Sequence, residues 1–312
     1  MRTAFTDLVG CTVPIQLASM PGIATPALAA AVADAGGLGM IGAPMLPPEL
    51  LAQTLTALRA DTRGVFGVNF LMPFLAERAV VAVAAAGARV VEFFYGDPDA
   101  SLVEIVHAGG ALASWQVGSQ REAIAAAAAG CDVIVAQGCE AGGHVRGTVG
   151  LLPLLAQVVD AVTVPVIAAG GIATAHGVAA ALAGGATAVR VGTRFATALE
   201  SGAHPDYVAR LLTAASEDTV LTEAFSEMWP HAPHRVLRSC IDAAEQLKEP
   251  LVGEIDWAGE TMPIPRFSVF SPTVDTRGRI ECMALYAGQS VGAVTRREPA
   301  AEIVRDLCSL LA

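Results

Sequence analysis

The sequence predicts an α/β protein built on a (β/α)8 TIM barrel that carries a smaller, mainly helical second lobe. Eight short apolar runs recur between residue 13 and about residue 195, Ala-rich helical stretches separate them, and the pattern changes after residue 200. Strand–helix alternation gives a parallel sheet, and eight such units close a barrel. A doubly wound open sheet is the alternative, because a count of strands does not prove closure.

The eight predicted strands are nearly continuous apolar runs, as expected for strands that are buried on both faces. They read VPIQLAS (13–19), GLGMIG (37–42), GVFGVNF (64–70), VVEFF (90–94), ALASWQV (111–117), DVIVAQ (132–137), VPVIAAG (164–170) and TAVRVG (187–192). In a barrel of this type the active site lies where the strands end, so the residues at these exits are the candidates for function.

Helical stretches fill the intervals, for example TPALAAAVADAG at 25–36 and SQREAIAAAAAG at 119–130. Several end in Gly, which suits a left-handed helix C-cap. Further helices are predicted at 205–216, at 234–247 and from Pro299 to Leu311. We therefore predict a barrel at 1–199, a helical lobe over or beside the barrel mouth at 200–285, and a C-terminal segment at 286–312 that returns to the barrel.

Composition restricts the classes of partner and the compartment. The formal net charge is −11 with no basic run, which argues against nucleic acid. Apolar stretches are interrupted before about 18 residues and the first residues lack the core of a signal peptide, so no membrane association is expected. None of the six cysteines has CxxC spacing, and we expect reduced thiols in the cytoplasm. A homo-oligomer is left open.

Two glycine-containing loops follow the last two predicted strands and indicate a phosphate site. AAGGIAT contains Gly170 and Gly171, and VGTRF contains Gly192 and Thr193. Small residues let main-chain N–H groups approach an anion, and the loops after the seventh and eighth strands form the recurrent phosphate site of this fold. The alternative is that these glycines only form tight turns.

Amide side chains stand at other strand exits. Asn69 and Gln116 can match the donors and acceptors along the edge of an isoalloxazine ring, and Gly22 on the same wall leaves room for a flat heterocycle. A structural hydrogen bond inside the barrel explains either amide equally well.

One imidazole lies in an unusually bare loop, QGCEAGGHVRG at 137–147, where Gly142 and Gly143 leave room for a ligand beside His144. An imidazole can remove a proton from an acidic carbon or donate a hydrogen bond to an anionic substrate. No second His or carboxylate cluster completes a metal-ligand set there, so no metal is expected.

Three neighbours of this histidine each have two interpretations. Glu140 could orient the imidazole or bind the backbone of the loop, and Arg146 could attract an anion or be solvated. Cys139 is either a thiol nucleophile or a small wall residue.

The AQGCEAGGHVRG stretch resembles the signature loop of the nitronate monooxygenases, formerly called 2-nitropropane dioxygenases. The resemblance covers most of the chain. It includes ASMPGIATPALAAAVADAGGLGMIG, FGVNF (66–70), AAGGIAT, VGTRF, ESGAHPDYVARLL (200–212), DTVLTEAF (218–225) and YAGQSVG (286–292). It implies a flavin barrel with bound FMN that oxidises an anionic alkyl nitronate with O₂ to a carbonyl compound and nitrite.

The resemblance also implies roles for individual residues. It places the catalytic histidine at His144. The predicted cofactor-binding set is Met20, Pro21, Gly22, Asn69, Gln116, Gln137, Gly142, Gly143, Gly170, Gly171, Gly192 and Thr193.

Two departures from the family pattern leave the subfamily open: Val145 separates the GGH motif from Arg146, and Trp115-Gln116 stands where some relatives have Lys. Flavin-dependent enoyl-ACP reductases carry a similar loop. An NAD(P)H-dependent flavin reductase acting on an enoyl thioester or a quinone is therefore the alternative. A flavin-binding protein without turnover is a third interpretation.

Overall fold

Eight parallel strands close into a barrel, which confirms the predicted fold class and excludes the open sheet. The computed structural model describes residues 1–257 and 260–311. Residues Ile15 to Leu17 of the first strand pair with Val189 to Val191 of the last and close the ring. In chain order the barrel strands are β1 (Ile15–Leu17), β2 (Leu38–Gly42), β3 (Val65–Leu71), β4 (Val90–Phe94), β5 (Leu112–Val117), β6 (Val133–Gln137), β8 (Val166–Ala169) and β9 (Ala188–Val191); the two-residue β7 (Gly143–His144) lies outside the ring.

Each predicted apolar run matches one barrel strand, and only β3 extends beyond its run, by one residue to Leu71. All five residues of β4 and all five of β6 are buried, because the barrel interior covers one face and the surrounding helices cover the other.

The helices follow the strands as predicted. Thr25 accepts a hydrogen bond from the Leu28 N–H at 3.0 Å and begins the first helix after β1, with a proline at its first position. The helices are α1 (Ala4–Val9), α2 (Pro26–Asp34), α3 (Pro48–Asp61), α4 (Ala79–Gly87), α5 (Ala100–Ala108), α6 (Gln120–Ala128), α7 (Leu151–Ala161), α8 (Ala175–Ala183), α9 (Thr193–Ala196), α10 (Pro205–Thr213), α11 (Arg238–Gln246) and α12 (Ala300–Leu307).

The region 200–285 contains helices α10 and α11 and, in addition, strands that the sequence pattern did not indicate. They are β10 (Thr219–Thr222), β11 (His234–Leu237), β12 (Leu251–Trp257), β13 (Glu260–Pro265) and β14 (Thr276–Gly278). Strand β11 lies between β10 and β7, and β12 lies between β13 and β14. The helix predicted from residue 234 begins only at Arg238, because residues 234–237 pair on both sides as β11.

The C-terminal helix packs on the barrel. Ala300, Ile303, Val304 and Leu307 of α12 belong to the same hydrophobic core as the barrel strands. A second core is formed mainly by residues after 200. The division at residues 199 and 285 stays a prediction. Among the described residues, no helix combines the length and apolarity that crossing a membrane requires.

Candidate active site

A cavity of about 1640 Å³, which includes its open mouth, lies at the carboxyl ends of the barrel strands. The thirteen residues that were assigned from the sequence to catalysis or cofactor binding all line it. They are Met20, Pro21, Gly22, Asn69, Gln116, Gln137, Gly142, Gly143, His144, Gly170, Gly171, Gly192 and Thr193. The structure thus brings the whole predicted set to one place, whereas the role of each residue remains a proposal.

The loops after β8 and β9 present unpaired main-chain N–H groups to this cavity. Gly170 and Gly171 have φ angles of +106° and +69°, which turn the chain sharply after β8. The hydrogen bonds among the described residues include none donated by the N–H groups of Gly171, Ile172 or Gly192. Thr193 is the first residue of α9, so its N–H has no partner within the helix. Such converging N–H groups are suited to a phosphate.

The inner end of the cavity contains a buried ion pair that was not identified from the sequence. Arg190 of β9 donates to Glu92 of β4, and both side chains are at most 6% exposed. Gln116 accepts from Arg190, and Asn69 Nδ2 donates to Glu92 Oε1 at 2.8 Å. Both predicted ring-binding amides are therefore also tied to this pair. Arg190, Asn69 and Gln116 line the cavity.

A sequence signal for this pair exists. Glu92 and Arg190 are the two charged residues in the eight barrel strands. A charge inside an otherwise apolar, buried strand has to find a partner, because an isolated buried charge is very costly.

His144 is held at the outer end of the cavity by strand β7. It lies opposite His234 of β11, and Gly143 before it has a φ of +73° that few other residues adopt. The imidazole stacks on the ring of Trp229, with centroids 3.9 Å apart and planes within 19°. The rings of Tyr95, His234 and Tyr286 surround it at centroid distances of 6.1, 5.2 and 5.6 Å.

This aromatic environment keeps the imidazole neutral. Burial, and secondarily the neighbouring His234, lowers the pKa of His144 from 6.5 to about 3. Of the two roles considered for this imidazole, removal of a proton is therefore disfavoured and donation of a hydrogen bond is favoured. Nε2 of His144 is buried without a hydrogen-bond partner among the described residues, as is Oε1 of Gln137. Gln137 Nε2 donates to the His144 carbonyl at 3.0 Å, which directs Oε1 elsewhere.

The structure decides between the interpretations of two neighbouring residues. Glu140 accepts from the Leu151 N–H at 2.8 Å, so it binds the loop backbone at the start of α7. Arg146 is paired with Glu122 and Asp97, each at 2.7 Å, so it is a structural ion-pair residue. Within residues 1–257 and 260–311 no cluster of three or more potential metal ligands occurs.

An eight-stranded barrel with unpaired main-chain N–H groups in the described loops after its last two strands, a polar inner wall and an imidazole at its mouth is typical of a barrel enzyme. Residues 2–80 and 73–309 match the family model described as nitronate monooxygenase, so the chain belongs to that family. It is accordingly an oxidoreductase, and a flavin is the class of cofactor that the match supports.

Similar solved structures cover nearly the whole chain. FabK from Thermotoga maritima is 31% identical with a TM-score of 0.81, over 99% of this chain and 96% of that one. A nitroalkane oxidase from Streptomyces ansochromogenes is 32% identical with a TM-score of 0.78, over 99% and 98%.

Curated relatives point to two activities. A probable nitronate monooxygenase of Staphylococcus saprophyticus is 32% identical over 72% of this chain and 77% of its own length. A (3aS,4S,5R,7aS)-5-hydroxy-7a-methyl-1-oxo-octahydro-1H-indene-4-carboxyl-CoA dehydrogenase of Mycobacterium tuberculosis is 36% identical over 77% of this chain and 67% of its own length.

Proposed function

We propose that this protein binds FMN and oxidises alkyl nitronates with O₂ to a carbonyl compound and nitrite. The observation that carries the proposal is the neutral, aromatic-enclosed imidazole of His144, whose Nε2 has no hydrogen-bond partner among the residues that the structure describes. A nitronate is already an electron-rich anion with two acceptor oxygens, so it needs a hydrogen-bond donor rather than a strong base.

The residues present fit FMN. The N–H groups of Gly171, Ile172, Gly192 and Thr193 would hold its phosphate. Gln137 Oε1 lacks a donor, and the ribityl hydroxyls and ring N–H of FMN are donors. When bound, FMN supplies the electron transfer between substrate and O₂.

The protein's own part is binding, orientation and exclusion of water. In the neutral imidazole, an Nε2–H would donate to a nitronate oxygen, and a donor in a dry site interacts strongly with an anion. The enclosing aromatic rings keep water away from this contact. Neutral nitroalkanes, which first require a base, are the poorer substrates in this proposal, because an imidazole with a pKa of about 3 is a weak base.

The second candidate is an NAD(P)H-dependent flavin reductase that acts on an enoyl thioester or a quinone. The similarity to a carboxyl-CoA dehydrogenase supports it. The cavity mouth supports it as well, because the apolar side chains of Met45 and Met228 line the cavity and are 48% and 52% exposed. An extended apolar substrate would cover them.

Anaerobic reduction separates the two candidates. Under the first proposal, propyl-2-nitronate bleaches the visible absorption band of the flavin, whereas NADH and NADPH do not. Oxygen consumption with nitrite release then follows in air. Rapid bleaching by either nucleotide, with no response to nitronate, overturns the first proposal and supports the second. A yellow protein inert to all three reagents indicates a flavin carrier.

A further inference from the structure

The segment at 223–233, between β10 and β11, places one tryptophan inside the site. Met228 and Trp229 line the cavity. Met228 and His231, on either side of the tryptophan, have φ angles of +74° and +57°. Non-glycine residues are strained in this region, so they persist only where surrounding contacts hold them.

Contacts at both ends hold the segment. The N–H of Glu227 donates to the Phe267 carbonyl at 3.0 Å, and the N–H of Phe225 donates to His234 Nε2 at 3.2 Å. Because Nε2 accepts and Nδ1 lies 2.9 Å from the Ala232 carbonyl, His234 is in its neutral Nδ1–H form. The hydrogen bonds of the segment therefore depend on an uncharged histidine beside His144.

The indole of Trp229 is enclosed from three directions. It lies nearly parallel to the imidazole of His144 at 3.9 Å. Its other neighbours meet it edge to face, Tyr95 at 4.7 Å and Phe74 at 5.1 Å. Edge-to-face and stacked aromatic pairs contribute beyond their buried area, so this cluster fixes the indole and, through it, one face of the imidazole.

We propose that Trp229 is a positioning residue for His144: its indole covers one face of the imidazole, fixes the ring plane and excludes water from it. This goes beyond the proposed function and depends on it only for the effect on turnover. The stacking itself and the protonation of the imidazole are measurable whether or not His144 takes part in the reaction.

Charge on neighbouring groups is the smaller cause of the neutral state, because the pKa of His144 is lowered first by burial and second by His234. The titratable groups that face it are His234 from β11, Tyr95 after β4 and Tyr286 before α12. Burial raises the pKa of both tyrosines, so they are uncharged. Two charges lie one contact further away: Arg146 stands over the Tyr95 ring at 5.9 Å, and Glu223 lies 3.8 Å from His231. Burial is thus the larger cause, and Trp229 contributes to it the ring that lies nearest and most nearly parallel to the imidazole.

The test uses the FMN-loaded full chain with ¹³C-labelled histidine, and the His144→Ala variant assigns the His144 resonance. In Trp229→Leu, which keeps bulk but removes the aromatic face, the pKa of His144 is expected to rise by at least about one unit toward its ordinary value. Trp229→Phe retains a stacking ring and should keep most of the depression. Met228→Leu, in the same segment without the stack on His144, should leave it unchanged.

A pH profile gives the second readout. With a nitronate as substrate, the pH profile of kcat/KM for Trp229→Leu should show a new inflection above about pH 4, because the pKa of His144 has risen by about one unit. The profile of Trp229→Phe should show no such inflection. A variant that loses turnover without any change in the His144 pKa would show that Trp229 has only a structural role.

A third measurement needs no substitution at position 229, so it can be made even if neither variant folds. In the unaltered holoenzyme, nuclear Overhauser contacts should connect the indole protons of one tryptophan to the imidazole C–H protons of His144. Their absence overturns the proposal. If the contacts are present but the pKa of His144 is unaltered in Trp229→Leu, the indole does not exclude water from the imidazole.

Discussion

The inner and outer ends of the cavity are built from different side chains. At the inner end, Glu92 and Arg190 are charged, buried and bonded to each other and to amides on other barrel strands. At the outer end, His144 is uncharged and enclosed by aromatic rings, and its Nε2 has no hydrogen-bond partner within residues 1–257 and 260–311. At the inner end, the protein thus supplies the hydrogen-bond partners of its own buried charges. At the outer end, one polar atom is left for a ligand to bind.

This difference separates stability from chemistry. Breaking the inner network exposes a buried charge to an apolar interior, which is a cost in the free energy of unfolding. Changing the outer end removes few protein–protein hydrogen bonds, so its effect should fall on turnover. Four substitutions and conditions test this separation.

Arg190→Met should have the largest effect. It leaves Glu92 buried without its cation, and removing one partner of a buried pair costs about 3–5 kcal/mol. Urea denaturation of the FMN-loaded protein measures the loss. The double variant with Glu92→Gln should recover much of it, because no uncompensated charge remains. Arg277→Met, in an exposed network with Glu254 and Asp256, is the matched control and should change little.

If Arg190→Met and Arg277→Met destabilise the protein equally, the inner pair is not the structural element described above. If the single and double variants lose the same free energy of unfolding, the loss is caused by altered packing rather than by an unpaired charge.

His144→Ala should have the second-largest effect, and this effect should be on turnover rather than on stability. Loss of one preorganised donor to a developing or bound anion lowers the rate by about 10²–10³. The variant should still bind FMN, because the loops proposed to hold its phosphate follow β8 and β9. Oxygen uptake with a nitronate measures the rate, and the visible spectrum measures bound flavin. His107→Ala, on α5 and paired with Asp132 at the surface, serves as the control.

Full turnover in His144→Ala contradicts the role assigned to the imidazole. Loss of the yellow colour instead would move His144 into the cofactor-binding set.

The inner and outer ends also differed in how far the sequence revealed them. The strands and the glycine loops depend on local patterns, so all eight barrel strands and both loops were predicted. The Glu92–Arg190 pair joins residues 98 positions apart, so its signal is found only when the charged residues of all eight strands are considered together. The Trp229 stack requires β7 to pair with β11, a contact between distant segments that propensity does not encode.

The same limit explains the strands of the second region. Residues 234–237 were predicted as the start of a helix, yet pairing with β10 and β7 makes them β11. The loop QGCEAGGHVRG was informative because glycine density and a single imidazole are visible locally, whereas the indole that covers the imidazole lies 85 residues later, at position 229 against position 144.

Gly171→Ala should have a smaller effect, on cofactor affinity. The added Cβ would lie 3.3 Å from the Glu140 Cβ at a φ of +69°, so the loop and its free N–H group must shift. We expect the dissociation constant of FMN to rise about tenfold, equivalent to about 1.4 kcal/mol. Gly110→Ala is the matched control, since its φ is +84° and a Cβ there meets no atom within 4 Å. Flavin fluorescence titration measures the dissociation constant of both variants. An equal loss of FMN affinity in the two variants would show that the loop containing Gly171 does not bind the cofactor.

The outer end should also make stability depend on pH. The pKa of His144 is lowered to about 3 in the folded protein by burial, so between that value and about 6.5 the unfolded chain binds more protons than the native one. Stability should therefore fall as the pH is lowered from about 6.5 toward 3, and His234, whose pKa burial also lowers, acts in the same direction. His144→Asn has no titrating group at this position, so its free energy of unfolding should decline less steeply between about pH 7 and pH 4.5. Urea denaturation at saturating FMN measures this decline. An identical decline in both proteins would mean that the imidazole is not shielded from water in the folded state, and the contrast between a self-satisfied inner end and a dry, ligand-directed outer end would then be lost.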